Sequence, residues 1–394
     1  MTDDALAENS RSGHARCGTR IGVVSTYPPA QCGIATYAAA LVKALRRSGS
    51  VVDVVRIDDG DCTVGPFGVT VAHLVNGSSR SMKGAVAALS RADVVIIQHE
   101  YGIYGGADGE EVIALMAGLH APSIVTLHTV PLVPTPHQRS LLESMAGLAD
   151  RLVVMSEAAH TRLIRLYRID PSKVVTIPHG ASAPDESVAD VDPSPNRPQL
   201  LTWGLLGPGK GIEHVIDALA MLSDMSVRPH YTVAGVTHPK VLAQFGDRYR
   251  QSLIQRCVDV GVSDLVRFDD TYRSVDQLMR FVASSVVVVL PYDSRDQVTS
   301  GVLVDAIAAG RPVIATAFPH AVELLAAGAG IVVPHGDTEA LADAIRRVTS
   351  DHHLVAEMAA QARQLAPSLS WSTIAEQYLD VCAGVSDGAR AVAI

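Results

Sequence analysis

From Arg20 onward, short apolar runs rich in β-branched residues alternate with longer stretches whose apolar positions recur at helical spacing. This alternation is typical of βα units, in which helices cover a parallel sheet on both faces. Six strands are predicted in the first half of the chain, at 21–25, 51–56, 94–98, 123–127, 152–155 and 174–177. The pattern then restarts and predicts six more, at 200–204, 231–235, 265–268, 286–290, 313–316 and 331–333. Helices are predicted between strands, for instance at 35–48, 80–90 and 157–166.

A segment without apolar periodicity separates the two series. Residues 186–198 collect prolines and acidic side chains, a composition typical of a linker. We therefore predict two doubly wound, Rossmann-like α/β domains at 20–185 and 199–367, facing each other across a ligand-binding cleft. A last amphipathic helix is predicted at 368–384, and the ends, 1–19 and 385–394, are expected to be tails.

Composition narrows the class of protein. Hydrophobic residues make up 48% of the chain and charged residues 19%, the balance of a folded chain with two sizeable cores. The apolar run at 286–290 has five residues, whereas a transmembrane helix needs about 20. The formal net charge of −9 provides no global field for nucleic acid or an anionic membrane, so neither is expected as a partner.

The cysteines and the N-terminus indicate a compartment. Five cysteines lie far apart without a CxxC pair, which favours free thiols in a reducing environment and argues against zinc. Residues 1–19 carry acidic side chains and lack the apolar core of a secretory signal. We expect a cytoplasmic protein without an integral membrane segment, and a homo-oligomer remains one alternative.

The loop after the first predicted strand has features of a phosphate site. Pro28 and Pro29 lead through Gly33 into a helix. Glycine lets backbone amides approach a ligand closely, and a helix start favours phosphate. The motif is neither GxGxxG nor a Walker loop, so an ordinary βα turn is the alternative interpretation.

Polar side chains also stand at the carboxyl ends of the third and fourth predicted strands. The third strand runs into Gln98-His99-Glu100-Tyr101 beside three glycines, and the fourth delivers His128. Ligands of open α/β sheets bind at this edge. We interpret these side chains as substrate contacts, with a packed or capping histidine as the alternative.

Two loops of the second half also suit an anionic ligand. In the segment 204–211, glycines surround Lys210 at a predicted helix start, an arrangement suited to a diphosphate. A solvated lysine is the alternative. A second polar loop, 293–301, leads into the helix that carries Asp305, whose carboxylate suits ribose hydroxyls, although a surface aspartate fits equally.

Taken in order, these residues resemble the retaining nucleotide-sugar glycosyltransferases of the GT-B fold, in particular the large family 4 (glycosyl transferases group 1). The most specific parts are LVDAIAAGRPVIAT at 303–316, Lys210-Gly211 and Ile177-Pro178-His179-Gly180, and the resemblance extends over nearly the whole chain after Arg20. It implies transfer of a hexose from a nucleoside diphosphate to a hydroxyl acceptor, with retention at the anomeric carbon.

The resemblance implies a role for each matched residue. Gly33 would offer its amide to the distal phosphate, and His128 would contact the donor sugar. Lys210 would bind the diphosphate, and Asp305 would hold the ribose. No DxD triplet stands in a suitable loop, so Lys210 and helix starts are expected to replace a divalent metal, and no cofactor is expected. The last helix would cross back onto the first domain. Further donor contacts are expected from Gly209, Arg295, Val298, Thr299, Ser300 and Gly301, and acceptor contacts from Gln31, His99, Glu100 and Tyr101.

The chain departs from the family at its paired glutamates. These stand eight residues apart, and their places are taken here by Gln297 and Asp305. A side-chain amide can still hold a sugar hydroxyl, so Gln297 joins His128 and Lys210 as an expected catalytic residue. Leu205 occupies the place of a family arginine, and Arg295 is the residue that could supply this charge.

Three segments look like a bacterial mannosyltransferase-like branch: the loop from Pro28 to Thr36, Gln-His-Glu-Tyr-Gly at 98–102 and Asp-Gln-Val-Thr-Ser-Gly at 296–301. They imply GDP-mannose as donor and a saccharide acceptor in polysaccharide biosynthesis. A UDP-sugar donor is the alternative. Other hypotheses on the same fold are an epimerase, which needs no acceptor, and a non-catalytic nucleotide-sugar-binding homologue. A phosphorylase would need a far longer chain and a lysine for pyridoxal phosphate.

Overall fold

The computed structural model describes residues 18–30, 32–58, 68–182, 198–271 and 273–392. The chain falls into two compact units. The first comprises Met1–Leu127, Thr135–Val153 and Ala375–Ile394, and the second comprises His128–Pro134 and Val154–Ile374. The predicted linker lies outside the described residues except for Pro198, and so does the predicted N-terminal tail up to residue 17.

The first sheet has seven strands in the order β3-β2-β1-β4-β5-β6-β7, and the pairings among β1 to β6 are parallel. The strands are β1 (Arg20–Ser25), β2 (Val51–Asp58), β3 (Thr70–Val75), β4 (Val94–His99), β5 (Ser123–Leu127), β6 (Arg151–Val154) and β7 (Val174–Thr176). The helices between them are α1 (Gly33–Arg47), α2 (Ser79–Leu89), α3 (Glu111–Ala117), α4 (Pro136–Leu148) and α5 (Glu157–Leu166).

The second sheet has six parallel strands in the order β10-β9-β8-β11-β12-β13. The strands are β8 (Gln199–Trp203), β9 (His230–Ala234), β10 (Val266–Asp269), β11 (Val287–Leu290), β12 (Val313–Thr316) and β13 (Gly330–Val333). The helices that follow β8 are α6 (Ile212–Ala220), α7 (Pro239–Phe245), α8 (Arg248–Asp259), α9 (Val275–Ala283), α10 (Gly301–Ala308), α11 (Pro319–Leu325), α12 (Thr338–Ser350), α13 (His352–Leu365) and α14 (Trp371–Val392).

The central strand β11 shows why its sequence is continuously apolar. Its side chains alternate between two cores: Val287 and Val289 belong to one, and Val288 and Leu290 to the other. All four are completely buried, because helices cover both faces of the sheet. The apolar run that predicted a buried strand therefore predicted a doubly wound domain correctly.

Two elements differ from the sequence prediction. Strand β3, at the edge of the first sheet, was not predicted, because Leu74 is its one buried side chain and no apolar pattern marks it. Helix α14 continues to Val392, whereas a tail was predicted from residue 385. A helix already formed extends at little cost through the residues that follow.

Each sheet reverses its strand order beside its first strand, and such switch points bind ligands at the carboxyl ends of strands. In the first sheet the reversal lies between β1 and β4, and in the second between β8 and β11. The loops that follow these four strands carry most of the predicted site residues.

Candidate functional site

The loop after β8 depends on glycines. Gly204, Gly209 and Gly211 have φ of 122°, 86° and 64°, values that favour glycine. Gly211 precedes α6, and a Cβ there would overlap the carbonyl oxygen of Pro291. No atom lies near the position of a Cβ on Gly209, so its backbone is accessible from that side.

Lys210 projects from this loop towards the end of β11. Its Nζ lies 4.5 Å from the ring centroid of Tyr292, which is itself buried. Burial lowers the pKa of the lysine, while the ring face stabilises its charged form. The ammonium is therefore held next to the loop that follows β11.

That loop, residues 293–300, is called the amide loop here, and it continues into α10. The backbone carbonyls of five consecutive residues, 296–300, all accept hydrogen bonds. In order, their donors are Arg162 Nη1 (2.8 Å), the His320 amide (3.4 Å), Ser156 Oγ (2.7 Å), Gln297 Nε2 (3.1 Å) and the Val304 amide (3.2 Å).

Several amide groups of this loop and of the first turn of α10 have no hydrogen-bond acceptor among the described residues. Those of residues 297–299, 301 and 302 have no acceptor within hydrogen-bond distance in the described part of the chain. Successive free N–H groups at a helix start form a site for an anion such as phosphate. With its carbonyls occupied and its amides open, the loop suits a negatively charged ligand.

Two histidines lie at the end of the amide loop, the buried His320 and the half-buried His179. His320 Nδ1 accepts a hydrogen bond of 2.9 Å from the amide of Ser300, and burial lowers the pKa of His320 to about 3, so its ring stays neutral. A Cβ on Gly301 would lie 2.9 Å from His179 Nε2, which explains the glycine. The pKa of His179 is lowered to about 4, again chiefly by burial.

Asp305 lies in α10 beyond the amide loop. The residue is half-buried, and desolvation of its carboxyl raises the pKa to about 7. An acid in this state ionises readily when hydrogen-bond donors such as ribose hydroxyls are brought to it.

Gln297 and Arg295 behave differently. Gln297 directs its Nε2 to the Thr299 carbonyl, which leaves Oε1 as an acceptor. Arg295 is exposed. The structure therefore gives Gln297 a role inside the loop that sequence reasoning did not assign.

The predicted residues of the first unit stand at the ends of β1 and β4. Gly33 is the exposed first residue of α1, and no atom lies within 4 Å of where its Cβ would be. Gln31 lies outside the described residues. Glu100 Oε1 accepts a hydrogen bond of 2.9 Å from the amide of Tyr101.

His99 is completely buried at the end of β4. Neither ring nitrogen has a hydrogen-bond partner among the described residues, and burial lowers the pKa to about 3. Its ring packs edge-on to Tyr101 at 5.0 Å and is stacked at 6.3 Å from Tyr104. His99 is a neutral, aromatic-packed imidazole in this structure.

His128 directly follows β5 and is half-buried. It begins the segment His128–Pro134, called the His128 loop here, which groups with the second unit although the sequence predicts it in the first domain. The second unit thus contains His128, Lys210, the amide loop and Asp305. The sequence missed Ser156, Arg162 and His320, because hydrogen bonds across more than a hundred residues, or to a main-chain atom, leave no local pattern.

Two features are absent from the described residues, a membrane-spanning helix and a metal-binding cluster. None of their helices combines the length and the apolar character needed to cross a bilayer. No group of three or more His, Cys, Asp or Glu side chains among them could hold a metal ion.

Solved structures share this architecture. One is Anabaena Alr3699/HepE in complex with UDP, with a TM-score of 0.71 and 18% identity over 93% of this chain and 100% of that one. Another is the sucrose-phosphate synthase of Thermosynechococcus elongatus, with a TM-score of 0.72 and 18% identity over 94% and 100%. Together with two parallel-sheet domains, this likeness defines the GT-B fold, as predicted.

Both halves of the chain match known glycosyltransferase families. Residues 32–183 match Glycosyltransferase Family 4, and residues 185–365 match Glycosyl transferases group 1. The chain is a glycosyltransferase composed of these two domains. It is 28% identical over 348 residues to the D-inositol 3-phosphate glycosyltransferase of Frankia alni, covering 79% of this chain and 83% of that protein. A Catenulispora acidiphila protein of that name is 27% identical over 357 residues, or 82% of each chain. Neither name refers to a mannosyltransferase, so the predicted mannosyltransferase-like branch is not confirmed.

Proposed function

We propose that this glycosyltransferase transfers mannose from GDP-mannose to a hydroxyl of a saccharide acceptor, with retention at the anomeric carbon. The observation that carries the nucleotide-sugar part is the amide loop, with its carbonyls occupied and its amides open beside Lys210. When the sugar leaves, negative charge grows on the β-phosphate, and fixed donors aimed at it stabilise the transition state.

The proposal divides the roles among residues. Lys210 and the amides of Gly209, Val298, Thr299 and Gly301 hold the diphosphate. Asp305 accepts from the ribose, while His128 and Gln297 contact the sugar. Ser300 caps α10, since its Oγ accepts from the amide of Leu303 at 3.3 Å, and Arg295 supplies positive charge at the loop surface. In the first unit, Gly33 contributes an amide to phosphate, and Gln31, Glu100 and Tyr101 form the acceptor side. His99, predicted among them, is completely buried and packs against Tyr101, so it supports this side without contacting the acceptor.

The choice of GDP-mannose rests on the sequence of the three branch-like segments. A UDP sugar is the second candidate, and the UDP in the HepE complex favours it. The relatives' names suggest a phosphorylated cyclitol as a second kind of acceptor, besides a saccharide, to include in any test. Cys32, Cys257 and Cys382 are free thiols, which supports a reducing compartment such as the cytoplasm.

Calorimetric titration with GDP and UDP, followed by product analysis with GDP-mannose and UDP-glucose, tests the proposal. We expect GDP to bind more tightly and mannose to be transferred with an α linkage. Tighter binding of UDP, together with transfer of glucose, would identify a UDP sugar as the donor instead of GDP-mannose. Sugar isomerised without an acceptor would indicate an epimerase, and binding without turnover a non-catalytic homologue.

Lys210→Ala tests the phosphate site. Loss of a charge-assisted hydrogen bond of about 1.5–3 kcal/mol weakens nucleoside diphosphate binding roughly 10- to 100-fold, with a larger loss in turnover. The matched control is Lys240→Ala, on the exposed face of the short helix α7. If both variants bind the nucleoside diphosphate with equal affinity, Lys210 is not part of the phosphate site.

A further inference from the structure

Helix α5 contacts both loops that the proposed function places at the donor within the second unit. At its centre, Arg162 Nη1 donates to the Val130 carbonyl in the His128 loop at 2.9 Å. The same nitrogen donates to the Asp296 carbonyl in the amide loop at 2.8 Å. One guanidinium nitrogen therefore joins two loops that are separated by 166 residues in sequence, from Val130 to Asp296.

We propose that Arg162 is a positioning residue, whose guanidinium fixes the His128 loop relative to the amide loop. This inference rests on the proposed function, which assigns His128 to the sugar and the amide loop to the diphosphate. Arg162 touches neither ligand in this scheme, and it acts through the main chain of the two loops.

Both ends of α5 support the same arrangement. At the N-terminal end, Ser156 Oγ donates to the Val298 carbonyl at 2.7 Å and accepts from the amide of Ala159 at 3.0 Å. At the C-terminal end, Tyr167 Oη donates to the Pro131 carbonyl at 2.8 Å. One end therefore holds the amide loop, the other end holds the His128 loop, and Arg162 holds both.

The start of α5 is itself fixed by α11. The carboxylate of Glu323 accepts hydrogen bonds from the amides of Glu157 at 2.9 Å and Ala158 at 2.8 Å. A carboxylate at a helix N-terminus stabilises the helix through its free amides and its dipole. The helix can therefore serve as a fixed support for the two loops.

The chemistry of Arg162 suits this role. Burial lowers its pKa and the nearby charge of Asp296 opposes that shift, so it stays a cation at neutral pH. Both of these hydrogen bonds go to main-chain carbonyls, which exist whatever side chains the loops carry. The rigid, planar donor group makes the geometry specific to arginine, whereas lysine offers a flexible point charge.

Hydrogen exchange of the full-length protein tests the inference without requiring turnover. In Arg162→Ala, we expect amide exchange to accelerate at least fivefold in both 128–134 and 293–302. Arg162→Lys should lie between this variant and the wild type. The control is Arg165→Ala, an exposed arginine on the same helix, which should exchange like the wild type. Acceleration in one loop alone, or in neither, overturns the proposal.

Kinetics provide a second readout. Because displacement by about 1 Å can slow a reaction 100-fold, Arg162→Ala should lower kcat by roughly 10- to 100-fold, with a smaller change in the KM of the donor. In a His128→Ala background the same change should have a much weaker effect on kcat, since no His128 remains to be positioned. Equal effects in both backgrounds overturn the proposal.

The two proposals fail in different ways. A wild-type protein that transfers no sugar refutes the proposed function, and hydrogen exchange then decides alone whether Arg162 holds the two loops. Normal transfer by Arg162→Ala, with both loops unchanged in exchange, refutes the positioning role and leaves the proposed function intact.

Discussion

Gln297 differs from the family's glutamate by a side-chain nitrogen in place of an oxygen, and this one atom changes the hydrogen bonding of the loop. The resemblance implies a glutamate there, but in this structure the side-chain NH₂ group donates to the Thr299 carbonyl at 3.1 Å. A carboxylate has no proton to donate at neutral pH, and its oxygen would repel that carbonyl. The glutamine is therefore a component of the loop and not simply a weakened acid.

We accordingly predict that Gln297→Glu lowers activity although it restores the family residue. Loss of a hydrogen bond of about 0.5–1.5 kcal/mol corresponds to a roughly two- to tenfold drop in turnover. Initial rates at saturating donor and acceptor measure it, with Gln297→Ala alongside as the variant that removes both functions of the side chain. A rate for Gln297→Glu above that of the wild type would contradict this account.

The raised pKa of Asp305 predicts that the stability of the protein depends on pH. Its pKa is about 7 in the folded protein, whereas an unfolded aspartate titrates near 4. Between these values the unfolded chain has lost the proton that the folded chain retains, so stability falls as pH rises from about 4 to about 7 and then levels off. Melting temperatures of the wild type and Asp305→Asn across this range should diverge as pH rises, with the variant more stable at pH 8. Parallel curves would show that the carboxyl is not desolvated.

At this scale the sequence predicted candidate residues from their type alone. Lys210 and the glycines around it became candidates because a cation and small residues at a helix start suit an anionic ligand, and their role stays a prediction. Arg162, Ser156 and His320 were missed. Their partners are main-chain atoms far away in sequence, and nothing near them in the chain announces the contact.

At the scale of elements, alternation of apolar and polar runs was sufficient for most strands, because parallel strands buried on both faces consist mainly of apolar side chains. It failed where burial is one-sided, as in β3. It also failed at the end of α14, since the length of a helix depends on what it packs against.

Helix α14 has a specific polar attachment to the first unit. Tyr378 Oη lies 2.8 Å from Thr126 Oγ1 on β5 and 3.0 Å from Tyr37 Oη on α1, and all three residues are buried. Removing the hydroxyl of Tyr378 leaves two buried hydroxyl groups short of a hydrogen bond.

Tyr378→Phe should therefore lower the free energy of unfolding of the first unit by about 1–3 kcal/mol. Tyr37→Phe is the matched variant, and it should have a smaller effect because Tyr378 keeps its bond to Thr126. Urea unfolding followed by circular dichroism measures both. A larger loss in Tyr37→Phe would contradict the assigned order.

At the scale of the molecule, composition predicted a boundary in the linker, yet the segment from Val154 onward groups with the second unit. Amino-acid composition indicates which segments are polar, whereas the compact unit to which a segment belongs depends on the residues that it contacts. The hydrogen bonds of Ser156 and Arg162 to the amide loop are such contacts.

Bound GDP should consequently protect the amides of the second unit most strongly against hydrogen exchange. At 100 times its dissociation constant, GDP adds about 2.7 kcal/mol of stability. Hydrogen exchange should slow most in 204–212 and 293–305, and least in β2 and β3 of the first unit, which serve as the internal reference. In Lys210→Ala, whose dissociation constant is expected to rise 10- to 100-fold, the same GDP concentration should add only about 0.4–1.4 kcal/mol, and the protection should shrink accordingly. Greatest protection in β2 and β3 would refute the placement of the donor.

The open amides of residues 297–299, 301 and 302 have a consequence for descent. Every amino acid except proline brings the same N–H group, so in the proposed function a mutation that leaves the main chain of this loop in place also leaves its phosphate contacts in place. Residues that contact the sugar in the proposed function can therefore change one at a time during evolution while the main-chain contacts to the donor diphosphate are kept.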